Sequence, residues 1–376
     1  MRIAIISVAP PYRGGIAAHT SQLIRELTKD KHSVSCYNFT RQYPDFLFPG
    51  KTQYLEPKEY MTESIECLDS VNPISWVRVG SNIKSNKFKL VILRYWNPFF
   101  APMLVTISRV IKWKNPQVKL VSLFDNFIPH ESQFYDRFFT KLFIHEMHGN
   151  IVQSKKVSDD IKKLYPYISV KKLFHPLYTK YGKSLDKFIC RSKLKLNKKY
   201  IILYFGLVRE YKGLDVLIRS VKKLKTIRDD FFVLAVGESY DAPEKLNKLI
   251  NKLKINDVFD WQNKFIPDDE ISLFFSSCDL VVLPYRSASQ SGIVQIAYHF
   301  NKPVIVTNVG GLPEIVEIDK SGNIVEPDNI DSLTDQINSS LNDRKLEYMS
   351  NFINSYKERF SWNTFVNDMF KYIESL

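Results

Sequence analysis

The chain has 376 residues, 44% hydrophobic and 25% charged, so it is neither fibrous nor disordered and has length for two packed domains. Its net charge of +13 calls for an acidic partner: phosphate, nucleic acid or an anionic lipid surface. No zinc-finger spacing, RNP-type aromatic signature or helix-turn-helix pattern supports nucleic acid.

Lysines spread along solvated helix faces are the plain alternative to a charged docking surface, and an anionic membrane takes most of the remaining weight. Cys36, Cys67, Cys190 and Cys278 lie far apart with no CxxC pair, which fits a reduced cytosolic compartment and offers no zinc or redox motif. The run Met1–Ser7 is too short for a signal segment and reads as a buried first strand. No apolar run of about 18 residues is present. A cytoplasmic protein, peripheral at the inner membrane face, is expected.

Ile3–Val8 reads as a central parallel strand, followed by Gly14-Gly15 and a helix from Ile16 to Lys29. Ser33–Phe39 is a second strand. Residues 41–62 are aromatic and proline-rich and carry no pattern that places them. Lys89–Leu93 and Val118–Phe124 are further strands, the first ending in Arg94-Tyr95-Trp96 and the second in Asp125. A helix over 134–147 and a strand over 150–153 complete an N-terminal domain, 1–185.

Tyr178–Lys199 is polar and lysine-rich, and reads as a linker. The strand–helix rhythm then restarts: strand Tyr200–Phe205, helix Leu214–Lys225, strand Phe231–Val236 and helix Pro243–Lys254. Leu280–Glu317 is the most informative stretch. A strand ends in Pro284-Tyr285, a Ser/Gly loop opens a helix, Val304–Val306 is a strand, and Gly310-Gly311 makes a tight turn before another helix. Small residues at a strand–helix junction let backbone N–H groups approach a diphosphate at a helix N-terminus. This C-terminal domain covers 198–355, and a final helix in 356–376 packs back on the first domain. The predicted class is α/β, two doubly wound Rossmann-like domains facing across a cleft.

Arg209 and Lys212 follow a predicted strand, flanked by Gly206 and Gly213. Two cations at a sheet's carboxyl edge make a clamp for a diphosphate; two surface cations are the alternative, and the strand–loop–Lys–Gly context favours the clamp. Gly14 and Gly15 admit a phosphate or sugar near backbone N–H groups, although any strand–helix turn also uses glycine. Asp125, His130 and Glu131 cluster after a strand, where an imidazole has reach of a reacting hydroxyl; a solvated loop explains them equally well. Asp268-Asp269-Glu270 reads as the acidic start of a helix rather than a metal motif.

Taken together, Gly14-Gly15-Ile16, Phe205-Gly206-Leu207-Val208-Arg209-Glu210-Tyr211-Lys212-Gly213, Val236-Gly237-Glu238, Val282-Leu283-Pro284-Tyr285, Lys302-Pro303-Val304-Ile305 and Val309-Gly310-Gly311-Leu312-Pro313-Glu314 resemble the family-4 glycosyltransferases of GT-B fold, in the right order over nearly the whole chain. The resemblance implies a retaining transferase of the bacterial polysaccharide or O-antigen type. It implies a nucleotide-diphosphate sugar as donor, no obligatory metal or other cofactor, and a glycan or lipid-linked glycan as acceptor. Arg209 and Lys212 would neutralise the departing diphosphate. The loop Ser289, Gln290, Ser291, Gly292 with Ile293 would donate to the same phosphates. Phe265 and Ile266 would lie near the base, Glu238 near the nucleotide pocket, and Gly14 and Gly15 by phosphate or acceptor.

Two departures stand out. Where many members carry two glutamates, this chain has Ala288 and Ile296, with Gln295 adjacent as a substitute. The family's first-domain histidine aligns with Asp125, with His130 the nearest imidazole. A nucleotide-sugar epimerase of the same fold, or a sugar-nucleotide binder without turnover, are the rival readings.

Overall fold

The computed structural model describes residues 1–44, 52–55, 58, 60–85, 88–126, 134–239, 243–288 and 291–376. His130, Glu131, Ser289 and Gln290 lie outside them, as do residues 45–51, 56, 57 and 59 of the aromatic, proline-rich stretch that the sequence leaves unplaced. The chain forms two units: Met1–Phe174 with Trp362–Leu376, and His175–Ser361.

In the first unit the strands are β1 (Arg2–Ile6), β2 (Ser33–Arg41), β3 (Ser64–Asp69), β4 (Leu90–Tyr95), β5 (Lys119–Phe124), β6 (Gly149–Val152) and β7 (Val170–Lys172). They form one parallel sheet in the order β3-β2-β1-β4-β5-β6-β7. Its helices are α1 (Gly15–Lys29), α2 (Pro73–Ser85), α3 (Ala101–Lys114), α4 (Phe134–Glu146) and α5 (Lys155–Leu164). β4 is buried along its length and β5 from Leu120 on, as strands covered on both faces of a parallel sheet are. Asp159 and Asp160 fall in the middle of α5.

The second unit opens with α6 (Lys187–Lys193), then runs β8 (Tyr200–Phe205), α7 (Leu214–Leu224), β9 (Phe231–Val236), α8 (Pro243–Leu253), β10 (Phe259–Gln262), α9 (Ile271–Ser277), β11 (Leu280–Leu283), α10 (Gly292–His299), β12 (Val304–Thr307), β13 (Gly322–Val325), α11 (Ile330–Ser340) and α12 (Asp343–Tyr356). Its parallel sheet has the order β10-β9-β8-β11-β12-β13. After Gly310-Gly311 there is one 3₁₀ turn, Pro313–Ile315, where the sequence predicts a helix. Both sheets reverse order once, between β1 and β4 and between β8 and β11. Ligands of doubly wound sheets bind at the strand carboxyl ends beside such a reversal.

The expected linker is folded structure. In α6 Cys190 is fully buried, Lys187 and Arg191 both pair with Asp279, and Asp279 also accepts from the Ile201 amide at 2.6 Å. A lysine-rich segment with little apolar periodicity is thus held by a buried carboxylate just before β11. The chain passes between the units at 174/175 and 361/362, not at 185 and 355/356 as the sequence reading has it.

After Ser361 the last helix, α13 (Trp362–Glu374), belongs to the first unit. Trp362, Phe365, Val366, Met369 and Ile373 join Ile3, Ile5, Leu23, Ile24 and Leu27 in one buried cluster. A Cβ on Gly149 would stand 2.5 Å from Leu376 Cδ1 and 2.8 Å from the Tyr372 hydroxyl, so glycine there leaves room for these side-chain ends. Lys119 Nζ donates to the Ile373 carbonyl at 2.7 Å, satisfying a group at the helix C-terminus.

Candidate functional site

The order reversal in the second unit sets two loops side by side. After β8 the backbone continues to pair with the β9 strand end: Gly206 N–H donates to Val236 O and Val208 N–H to Glu238 O, both at 2.9 Å. A 3₁₀ turn, Glu210–Lys212, then leads into α7. Two glycines make this crossing possible. Gly213 has φ 64°, and a Cβ there would stand 2.0 Å from Pro284 O; a Cβ on Gly237 would stand 1.9 Å from Gly206 O.

Arg286, after β11, ties the turn in place. Its amide donates to Tyr211 O at 2.7 Å and its Nη1 to Glu210 O at 2.8 Å. Its guanidinium also grips Asp215 with two 2.8 Å bonds and Asp328 with one of 2.7 Å. The carboxylates raise the Arg286 pKa above the ordinary arginine value, so it is a fixed cation there. Nothing in the sequence singles Arg286 out.

Lys212 reaches back from this turn. Its Nζ lies 5.4 Å from the centroid of the buried Tyr285 ring. A Cβ on Gly206 would stand 3.7 Å from that Nζ and 3.3 Å from Ile293 Cδ1, so the ammonium, the β8 end and the first turn of α10 converge. Burial holds the Lys212 ammonium below the ordinary lysine range. Among the described residues no carboxylate pairs with it. The Tyr285 hydroxyl meets Ser291 Oγ at 3.4 Å, and burial raises its pKa to about 12.

Ser291 caps α10, its Oγ accepting from the Ile293 amide at 3.2 Å. A Cβ on Gly292 would stand 2.7 Å from the Tyr178 ring, which explains glycine at this position. The result is a helix N-terminus with a half-buried cation beside it, an arrangement that accepts an anion.

Of the residues singled out in sequence for this unit, Lys212, Ser291, Gly292 and Ile293 meet here. Arg209, half-buried, precedes the turn, and Glu238 sits half-buried at the end of β9. Gln295 is 2% exposed with its Oε1 unpartnered, and Ala288 and Ile296 are buried apolar side chains. Phe265 (51% exposed) and buried Ile266 follow β10, on the same sheet edge but two strands away.

In the first unit, Gly14 precedes α1 with φ 113°, a conformation that favours glycine; Gly15 opens the helix. Asp125 follows β5 and is clamped by Arg94 through two 2.6 Å bonds. Behind Arg94 lies His19, whose part the sequence reading misses. Asp268 pairs with Lys180 ahead of α9. Among the described residues no group of three or more His, Cys, Asp or Glu has metal-binding geometry, and no helix is long and apolar enough to cross a membrane.

Residues 186–359 match the family described as glycosyl transferases group 1. Over the whole chain, an uncharacterized glycosyltransferase of Methanocaldococcus jannaschii is 22% identical, with 100% of this chain and 99% of that protein aligned. The lipopolysaccharide 1,2-N-acetylglucosaminetransferase of Salmonella typhimurium is 26% identical over 43% of this chain and 45% of its own. Among solved structures, Anabaena HepE in complex with UDP and glucose superposes with a TM-score of 0.75 at 18% identity, covering 100% of both chains. The fold is GT-B, and the match over residues 186–359 supports glycosyl transfer.

Proposed function

We propose that the protein transfers a sugar, with retention and without an obligatory metal, from a nucleotide-diphosphate sugar to a glycan or lipid-linked glycan acceptor. The observation that carries this reading is Lys212: a half-buried lysine whose desolvated ammonium has no carboxylate partner among the described residues, set against the N-terminus of α10. An unpaired, partly desolvated cation is unfavourable until an anion completes it. A diphosphate does so, and its developing negative charge on departure strengthens the contact. Arg209 supplies the second cation. Glu238 and Gln295 take sugar or ribose hydroxyls, and Phe265 with Ile266 lines the base.

UDP and glucose in the HepE complex favour a UDP-sugar, and the lipopolysaccharide enzyme of Salmonella favours a glycan acceptor of that class. Gly14 and Gly15 are assigned to the acceptor side of the first unit. The excess of positive charge suits an anionic membrane where such acceptors reside. A binder without turnover is the second reading, favoured by apolar Ala288 and Ile296 where the family carries carboxylates.

The test is a thermal-shift panel of UDP-glucose, UDP-N-acetylglucosamine, UDP-galactose and GDP-mannose, followed by transfer to a bacterial lipid extract with NMR assignment of the product anomer. A shift with one donor and a product of unchanged anomeric configuration is expected. Binding without transfer supports the second reading; an epimerised nucleotide sugar rejects both.

A further inference from the structure

Four side chains from four elements of the first unit form one buried polar chain. His19 on α1 is 0% exposed, Arg94 at the end of β4 is 2% exposed, and Gln153 after β6 is 7% exposed. Arg94 Nε and Nη2 donate to the two carboxylate oxygens of Asp125, each at 2.6 Å. Arg94 Nη1 donates to His19 Nδ1 at 2.8 Å and to Thr20 Oγ1 at 3.4 Å.

A guanidinium only donates, so His19 Nδ1 is the acceptor and the ring proton sits on Nε2. That nitrogen lies 3.0 Å from Gln153 Nε2, and its N–H finds an acceptor there with the Gln153 amide turned to present its oxygen. The ring is further wedged by Trp362 and Phe365 of α13, with centroids 4.9 and 5.9 Å away.

A buried arginine needs a counter-charge, and a core ion pair alone would satisfy it. The exposure pattern says more. The Arg94 side chain is 3% exposed, whereas that of Asp125 is 17% exposed. The chain of contacts runs from the α13 aromatics through His19 and Arg94 and surfaces at one carboxylate. That carboxylate stands at the carboxyl end of β5, the sheet edge where ligands of such folds bind. Among the described residues only Arg94 bonds to this side chain, and each oxygen keeps a further lone pair to accept from a hydroxyl.

We infer that His19 and Arg94 are positioning residues that hold the Asp125 carboxylate in one orientation, as the acceptor of a substrate hydroxyl. This rests on the transfer reading above. Arg94 fixes the plane of the carboxylate, and His19 fixes the third arm of the guanidinium. No proton moves in this role; the set supplies a rigid anionic acceptor.

Asp125→Asn alone strands the Arg94 charge in the core, so its loss of activity would be ambiguous. The informative variant is R94M/D125N, which removes both charges at similar volume, a change that buried pairs commonly tolerate. Wild type, R94M/D125N, H19A and H19Q are compared for melting temperature, for the shift given by UDP, and for UDP release from the four nucleotide sugars with a bacterial lipid extract.

R94M/D125N is expected to melt within roughly 5 °C of wild type and to keep its UDP shift, while kcat falls about 10²-fold. H19A is expected to lose about tenfold in kcat at unchanged KM, and H19Q, which retains an acceptor for Arg94, to recover most of it. A folded R94M/D125N with wild-type turnover overturns the inference and leaves the pair a core ion pair. So does an H19A rate equal to wild type. Wild-type protein silent on all four sugars rejects the transfer reading itself, and this inference with it.

Discussion

Lys212 Nζ lies 5.4 Å from the centroid of the Tyr285 ring, and the Tyr285 hydroxyl meets the Oγ of Ser291, the cap of α10. The cation, the ring and the helix start are therefore one unit, assembled from loops that follow neighbouring strands β8 and β11. Lys212→Ala and Arg209→Ala should each lower sugar transfer by about 10²-fold, the scale of losing one group that stabilises developing charge. Initial-rate kinetics on both variants check this, and near-wild-type rates in both would reject the clamp.

Burial depresses the Lys212 pKa from 10.5, so the free protein carries an ammonium that its site disfavours. Lys212→Met should raise the melting temperature at pH 7 while weakening UDP binding, a trade of stability for function. The sign of the pH effect follows. Between the depressed folded pKa and the ordinary value, the unfolded chain binds more protons than the folded one, so wild-type stability rises with pH there. The advantage of K212M should narrow as pH climbs from 7 towards 10. Melting curves of both proteins across that range decide it; a gap that widens contradicts the assignment.

How much of this was readable in the sequence depends on whether a signal is local. The apolar runs of β1, β8, β9, β11 and β12, and the glycines flanking Lys212, announce themselves within a few residues. By contrast α2 exposes Ile74 and Val77, which blurs its periodicity, and the sequence reading assigns no element there. Arg286 has no local mark at all, because Asp215 lies 71 positions away and only the fold joins them. His19 and Arg94 are 75 positions apart for the same reason. The supposed linker misleads because its order comes from Asp279, some 90 positions on, and not from its own apolar pattern.

Asp279→Ala tests that point. It leaves Lys187 and Arg191 without their shared carboxylate and removes the acceptor for the Ile201 amide. Stranding the Ile201 amide and unpairing the partly exposed cations costs about 1–3 kcal/mol. Urea unfolding should show that loss, with α6 becoming protease-sensitive first. Stability within about 0.5 kcal/mol of wild type would return 178–199 to the status of a tether.

Gly213→Ala places a Cβ on Pro284 O in a left-handed backbone, and the loop must shift to accept it. A loss of about 3 kcal/mol is expected, together with loss of the UDP-induced thermal shift, because the displaced turn carries Lys212. Ala at Gly182, where a Cβ meets nothing within 4 Å but φ is 80°, is the control: strain without displacement of Lys212, and a UDP shift preserved.

The most direct measurement is calorimetric titration of UDP and of uridine into wild type and Lys212→Ala. If phosphate is what this helix start and half-buried ammonium recognise, wild type binds UDP far more tightly than uridine. K212A then loses about 10–100-fold for UDP with little change for uridine. Equal affinities of wild type for the two ligands, or an unchanged UDP affinity in K212A, would contradict the account.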